Sequence, residues 1–159
     1  MIGLKKMIIR KMILMGYRSD VRIVTSKKGF KVLDDYVKKY LKEHDKDRSW
    51  NLMKRPTVKK ESPYTTYIGW NCLKWYEYSD YVDVDAIMKG LDYLKENDYS
   101  YRYSRIGENY DDYDEEYYES NREEEQDLTF PSVIREFDDD YIFQELDYQS
   151  NLRKDDMEL

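Results

Sequence analysis

At 159 residues the chain has the length of one domain, enough to bury a single core without covalent staples. Charged residues make up 38% of it and the mean hydropathy is -0.99, yet 18 residues are tyrosine, a side chain that either fills a sheet core or offers flat contact area to another macromolecule. The single cysteine, Cys72, excludes an internal disulfide framework and fits a reducing cytoplasm, and no apolar run is long enough to span a bilayer.

The net charge of -7 conceals an asymmetry. Up to the break near Pro63 the chain carries 18 Lys+Arg against 7 Asp+Glu, a balance of +11; beyond it the count is 9 against 27, or -18. Between Glu108 and Asp147 alone there are 17 acids and two arginines. One end of the molecule is therefore expected to present a strong negative field.

Residues 1–14, "MIGLKKMIIRKMIL", mix four basic residues with apolar ones and lack a small-residue cleavage site, so they read poorly as a secretory signal. Two readings stay open for them: a basic amphipathic segment, or a stretch upstream of a true start at Met15. In "GYRSDVRIVTS", Tyr17, Ser19, Val21 and Ile23 alternate with Arg18, Asp20 and Arg22, which predicts a half-buried first strand. Ser26 is placed to cap a helix with Phe30, Leu33, Val37, Tyr40, Leu41 and His44 on its apolar stripe. The polar run "DKDRSWNLMKRPTVKKESP" reads as a loop, and "YTTYIGWNCLKWYEY" as a hairpin turning near Gly69–Asn71 or as one long bent strand.

A second helix is expected over "VDVDAIMKGLDYLKEN", with Val84, Ile87, Met88, Leu91 and Leu94 on one stripe. "YSYRYSRI" alternates as a strand. In the acidic stretch, Glu108, Asp112, Glu115, Glu119 and Glu123 step by three or four and Tyr110, Tyr113 and Tyr117 likewise, so it fits a helix with a carboxylate ladder backed by tyrosines. "DLTFPSVIREF" reads as extended and "DDDYIFQELDYQSNL" as a short terminal helix. The order β, α, β, β, α, β predicts an α+β fold: a ferredoxin-like split βαβ sheet with two helices on one face, and an acidic C-terminal extension. Residues 15–147 form the single domain, with 108–147 acidic and tyrosine-rich, and 148–159 a loose tail.

Few enzyme chemistries fit these residues. With one histidine, His44, a Ser-His-Asp arrangement has a single candidate base, and nothing around Cys72 resembles a nucleophile elbow; an inert buried cysteine is the plainer reading. One cysteine and one histidine do not make a zinc site, and "NYDDYDEEYYES" lacks the glycine and register of a calcium loop. Neither Gly-rich phosphate-binding spacing occurs, and "YIG" at Tyr67–Gly69 resembles half of a nuclease signature whose "GIY" partner is missing. No cofactor, metal or catalytic residue is expected.

Two binding surfaces compete for the function. Trp50, Arg55, Lys59 and Lys60 interleave aromatic and basic groups in one loop, the pattern of a nucleic-acid-binding or hydrolytic protein. The -18 on the rest of the domain opposes that reading, because it repels the same ligand. The acidic segment is the stronger feature. Rows of carboxylates imitate a phosphate backbone, and tyrosines supply contact energy. The expected partner-binding residues are Glu108, Tyr110, Asp111, Asp112, Tyr113, Asp114, Glu115, Glu116, Tyr117, Tyr118 and Glu119. The expected partner is a nucleic-acid-binding host or defence protein, with no direct contact to nucleic acid or membrane. Self-assembly through exposed tyrosine is a third possibility.

The pattern "MGYRSDVRIV…GF", "GWNCLKWYE", "RIGE" resembles small uncharacterised proteins carried by phages and prophages of low-GC Gram-positive bacteria, over most of Met15 to Glu108. In its short, acidic, tyrosine-rich character the chain is also similar to anti-CRISPR and antirestriction inhibitors, a likeness of style that transfers no residues. These resemblances imply a non-enzymatic inhibitor in the cytoplasm of an infected bacterial host, with a CRISPR effector among the candidate partners.

Overall fold

The computed structural model describes residues 16–44, 50–77, 81–125, 128–130 and 137–157; the expectations for residues 1–14 and for "PSVIRE" lie outside them. In chain order the elements are β1 (Ser19–Ser26), α1 (Lys27–His44), a 3-10 turn (Leu52–Lys54), β2 (Val58–Glu61), β3 (Thr65–Leu73), α2 (Val82–Glu96), β4 (Tyr101–Gly107), β5 (Tyr113–Tyr118), a second 3-10 turn (Glu123–Glu125) and α3 (Asp139–Met157). The fold is α+β. One five-stranded sheet runs in the order β2-β3-β1-β4-β5, with every neighbouring pair antiparallel.

The two periodic helices form where their stripes predict. The Ser26 hydroxyl accepts the Gly29 N–H at 2.9 Å and caps α1, which buries Leu33, Val37 and Leu41. Helix α2 buries Val84, Ile87, Leu91 and Leu94, and closes at Asn97. Both pack on one face of the sheet, in a core with Val21, Ile23, Ile68, Trp70, Tyr101 and Tyr103. Helix α3 covers part of the opposite face, where its Ile142 and Leu146 meet Val24 of β1 and Tyr67 of β3.

Several expectations need correction. Strand β1 is not half-buried: it lies at the centre of the sheet, covered on both faces, and Arg22 is 2% exposed. Of the two readings of 64–78, the structure takes the single strand, β3 over Thr65–Leu73, and what needs correcting is its partner: β2 comes from the stretch assigned to a loop. The acidic stretch is not helical. It forms the turn 108–112 and the edge strand β5. Like charges at helical spacing repel, whereas in the sheet Asp114 lies opposite Arg105 and Tyr is a favoured strand residue. Cys72 is exposed rather than buried, at φ 57 near the end of β3. The terminal helix runs on through residues 148–157, where a loose tail is expected, although its last turns are exposed.

A charge on a central strand needs a partner, and Arg22 has a full set. Its Nε and Nη2 donate to the two Asp139 carboxylate oxygens at 3.1 Å, its Nη1 donates to the Val21 and Trp70 carbonyls, and its guanidinium lies 4.4 Å from the Phe137 ring centroid. The Tyr67 hydroxyl also donates to Asp139, at 2.6 Å; burial first and the carboxylate second raise the phenol above its ordinary value. Arg22 reaches α3 by crossing directly over Gly69. A Cβ there would collide with the Arg22 side chain and sit 2.6 Å from the Val21 carbonyl. This explains the glycine of "YIG" without a nuclease.

Two substitutions test the clamp. Gly69→Ala should lower the unfolding free energy by about 1–3 kcal/mol through overpacking. Asp139→Ala, which strands a buried guanidinium, should lower it by about 3 kcal/mol or more. Urea denaturation followed by circular dichroism reads both.

Candidate functional site

Between Tyr101 and Tyr118 the chain folds into a hairpin whose connecting turn is tightly held. The Gly107 N–H donates to the Asp112 carbonyl at 2.8 Å, the Asn109 N–H to the Tyr17 hydroxyl at 3.0 Å, and the Arg18 N–H to the Glu108 carboxylate at 2.8 Å. At its base the Asp112 carboxylate accepts from both Arg105 Nη1 and Nη2, at 3.1 and 2.8 Å, and from the Tyr17 hydroxyl at 2.5 Å. Gly107 is required because any side chain there would strike Asp112 and the Tyr17 hydroxyl. Burial works to lower the Arg105 pKa, but the Asp112 carboxylate outweighs it and holds the guanidinium above its ordinary value. This cluster fixes the turn rigidly against the end of β1.

From this base β5 runs along the sheet edge with one neighbour, β4. Its side chains alternate. Asp114, Glu116 and Tyr118 share the face of Arg105, Tyr103 and Tyr101, which is the face covered by α1 and α2. There the Tyr101 hydroxyl donates to Glu116 at 2.7 Å, and Tyr118 packs against the core and donates to Asp98 at 2.7 Å. Tyr113, Glu115 and Tyr117 point to the other face, where the Arg102 guanidinium lies 5.4 Å from the Tyr117 ring centroid and pairs with Glu119 at 3.0 Å.

Of the eleven residues nominated from sequence, nine are exposed and contiguous along the turn and strand: Glu108, Tyr110, Asp111, Tyr113, Asp114, Glu115, Glu116, Tyr117 and Glu119. Tyr110, Tyr113 and Tyr117 are 83%, 59% and 65% exposed, so burial in the core does not account for them. Asp112 and Tyr118 do not belong to this surface, because both are half-buried and hold the hairpin to the body. The result is an extended, well-anchored surface with six exposed acids, and the sequence has no base between 108 and 119.

Sequence reasoning missed three further features. A polar cleft of about 530 Å³ adjoins the end of β5, lined by Arg102, Tyr118, Glu119, Ser120 and Glu125. Glu125 is 1% exposed, and its carboxylate accepts from the Ser26 hydroxyl and the Ser100 N–H. A groove of about 480 Å³ on the outer side of α1 and α2 is lined by Tyr36, Tyr40, His44 and Tyr93; the His44 ring stacks on Tyr40, with Nδ1 3.0 Å from the Tyr40 carbonyl. Glu77 sits half-buried after β3, where its Oε1 accepts from the Tyr103 hydroxyl at 2.5 Å and from Trp75 Nε1 at 3.3 Å. Burial raises the Glu77 carboxyl above the ordinary value, and the Tyr103 hydroxyl partly opposes that shift. Glu77 lines neither cleft, and its contacts to Tyr103 and Trp75 tie the segment after β3 to the core. Among the described residues no three His, Cys, Asp or Glu side chains come together as a metal site, and no helix is long and apolar enough to cross a membrane.

Two predictions separate anchoring groups from surface groups. Asp112→Ala should cost about 1.5–3 kcal/mol of stability, the worth of hydrogen bonds to a charged group, while Asp111→Ala should cost less than about 0.5 kcal/mol. The raised Glu77 carboxyl favours its protonated form in the fold, so its contribution is present at low pH and fades as pH rises through the folded value. Glu77→Gln keeps the acceptor without the charge. Its stability relative to the parent protein should therefore rise between about pH 4 and pH 7, in paired denaturation curves.

Comparison with protein-family models, with curated proteins and with solved structures finds no match to this chain.

Proposed function

We propose that the protein is a non-enzymatic inhibitor of phage type. It binds a nucleic-acid-processing protein of the bacterial host or its defences, a CRISPR effector among the candidates, and its acidic, tyrosine-rich hairpin occupies the basic groove meant for DNA or RNA. The setting is the cytoplasm of an infected cell. The order β2-β3-β1-β4, with α1 and α2 on one face, supports reading the first four strands as a ferredoxin-like split βαβ sheet to which β5 and α3 are added.

The observation that carries this reading is the company the acids keep. Charge on an edge strand discourages unwanted strand pairing, and that alone accounts for acids on β5. It does not account for three tyrosines among them, at 59–83% exposure. Tyrosine gives large amphipathic contact area at low entropic cost, which is what a recognition surface needs and a merely protected edge does not. Carboxylates on a strand are also held in line, same-face neighbours roughly 6.6 Å apart. Such a row attracts a groove evolved for phosphates, and the association is fast and salt-sensitive.

The test is affinity capture from nuclease-treated bacterial lysate, eluted with a salt gradient. The protein should retain a nucleic-acid-processing protein released at moderate salt. A variant carrying Asp111→Lys, Glu115→Lys and Glu119→Lys should retain none of it while keeping its circular dichroism spectrum. Undiminished capture by that variant would sink the proposal.

A further inference from the structure

The sheet has a second edge, and its chemistry is opposite. On α1, Lys27, Lys31, Lys38 and Lys42 are exposed and recur at intervals of four, seven and four, which places them on one flank of the helix. That flank faces β2: Lys27 Nζ lies 3.3 Å from Glu61, and Lys59 Nζ lies 4.9 Å from the Phe30 ring centroid. Lys54, Arg55 and Lys59 continue the cationic surface along β2 and the segment before it, all exposed. Against these seven cations stand Asp34, Asp35 and Glu61: Asp34 pairs with Lys38 at 2.8 Å, Glu61 with Lys27 and Lys59 at 3.3 and 3.5 Å, and the Asp35 charge acts on Lys38.

Within this surface Trp50 is 63% exposed, and the Arg55 guanidinium lies 3.7 Å from its ring centroid. The indole is no frayed loop residue, because the chain directly after it is anchored. Leu52 and Met53 are buried in the core, Trp70 Nε1 donates to the Leu52 carbonyl at 2.8 Å, and the Met53 N–H donates to Asn51 Oδ1 at 3.0 Å. A fixed, exposed indole beside a row of cations makes a stacking platform beside a backbone track.

We infer that this β2 edge binds single-stranded nucleic acid, with Trp50 and Arg55 stacking an unpaired base and the lysine flank of α1 contacting phosphates. The objection from charge was that the acidic part of the domain repels such a ligand. The sheet order removes it: β2 and β5 are the two outer strands, four strand spacings or roughly 19 Å apart. That exceeds two Debye lengths of about 8 Å at physiological ionic strength, so each edge acts on its own ligand. The exposed indole favours nucleic acid over an acidic protein, because unpaired bases offer a π-face to stack on. The inference is independent of the role assigned to β5.

Fluorescence anisotropy of a labelled 20-nucleotide oligodeoxythymidine, titrated with the full chain over a series of salt concentrations, tests it. Saturable binding is expected, weakening as salt rises. Trp50→Ala, at an exposed position, should lower affinity about fivefold to a hundredfold. Lys31→Gln with Lys42→Gln should reduce the slope of log affinity against log salt by about 1.4, two phosphate contacts' worth. No anisotropy change in low salt, or binding that Trp50→Ala leaves intact, would overturn the inference. So would competition by poly-glutamate as effective as that by unlabelled oligonucleotide, which would mark a general anion surface.

Discussion

Everything in this sheet is arranged around one buried guanidinium. Arg22 lies on the central strand, where a cation taken out of water is costly unless its donors are all used. It is satisfied only because Gly69 leaves room for it to cross β3 and because Asp139 begins α3 at the far side. The carboxylate also sits in the first turn of that helix, where the dipole favours negative charge. Sequence, backbone and tertiary contact thus specify one another: glycine permits the arginine, the arginine calls for the aspartate, and the aspartate positions the helix over Val24 and Tyr67.

Once both faces of the sheet carry helices, its edges become the accessible strands. The chain spends its charge there in opposite senses, lysines along β2 and carboxylates along β5. Each edge is shielded against strand pairing by that charge, yet each also keeps exposed aromatic groups, Trp50 beside β2 and Tyr110, Tyr113 and Tyr117 at β5. The basic and acidic halves seen along the sequence become two ends of one object. The Tyr17–Asp112–Arg105 cluster makes the acidic end stiff, which limits the entropy lost when it meets a partner.

Both central helices are legible from periodicity, because their stripes are set by burial against one face of the sheet, and β4 from the alternation of Tyr101 and Tyr103 with Arg102 and Ser104. The eleven site residues were nominated from composition, and nine of them do form one exposed surface. What failed was the geometry between them. Acids spaced by three and four carry no periodicity in "YDEEYY" that separates helix from strand, and the cross-strand Arg105 and the Tyr101 hydroxyl decide for the strand. Strand β2 is hidden in the sequence because "VKKE" has no apolar alternation, and the partners of its side chains, such as Phe30 and Asp147, lie far away in the chain. Arg22 read as a surface residue because nothing local announces Asp139, 117 residues away. Asp112 looked like any other acid of its run until Arg105 and Tyr17 singled it out.

The central claim is that β5 and its turn form the face that meets a partner. Hydrogen exchange of the protein, alone and saturated with the partner recovered from lysate, tests it most directly. Slowed exchange confined to the amides of residues 108–119 is the predicted result. Unchanged exchange there, with new protection over the outer groove of α1 and α2 instead, would contradict it.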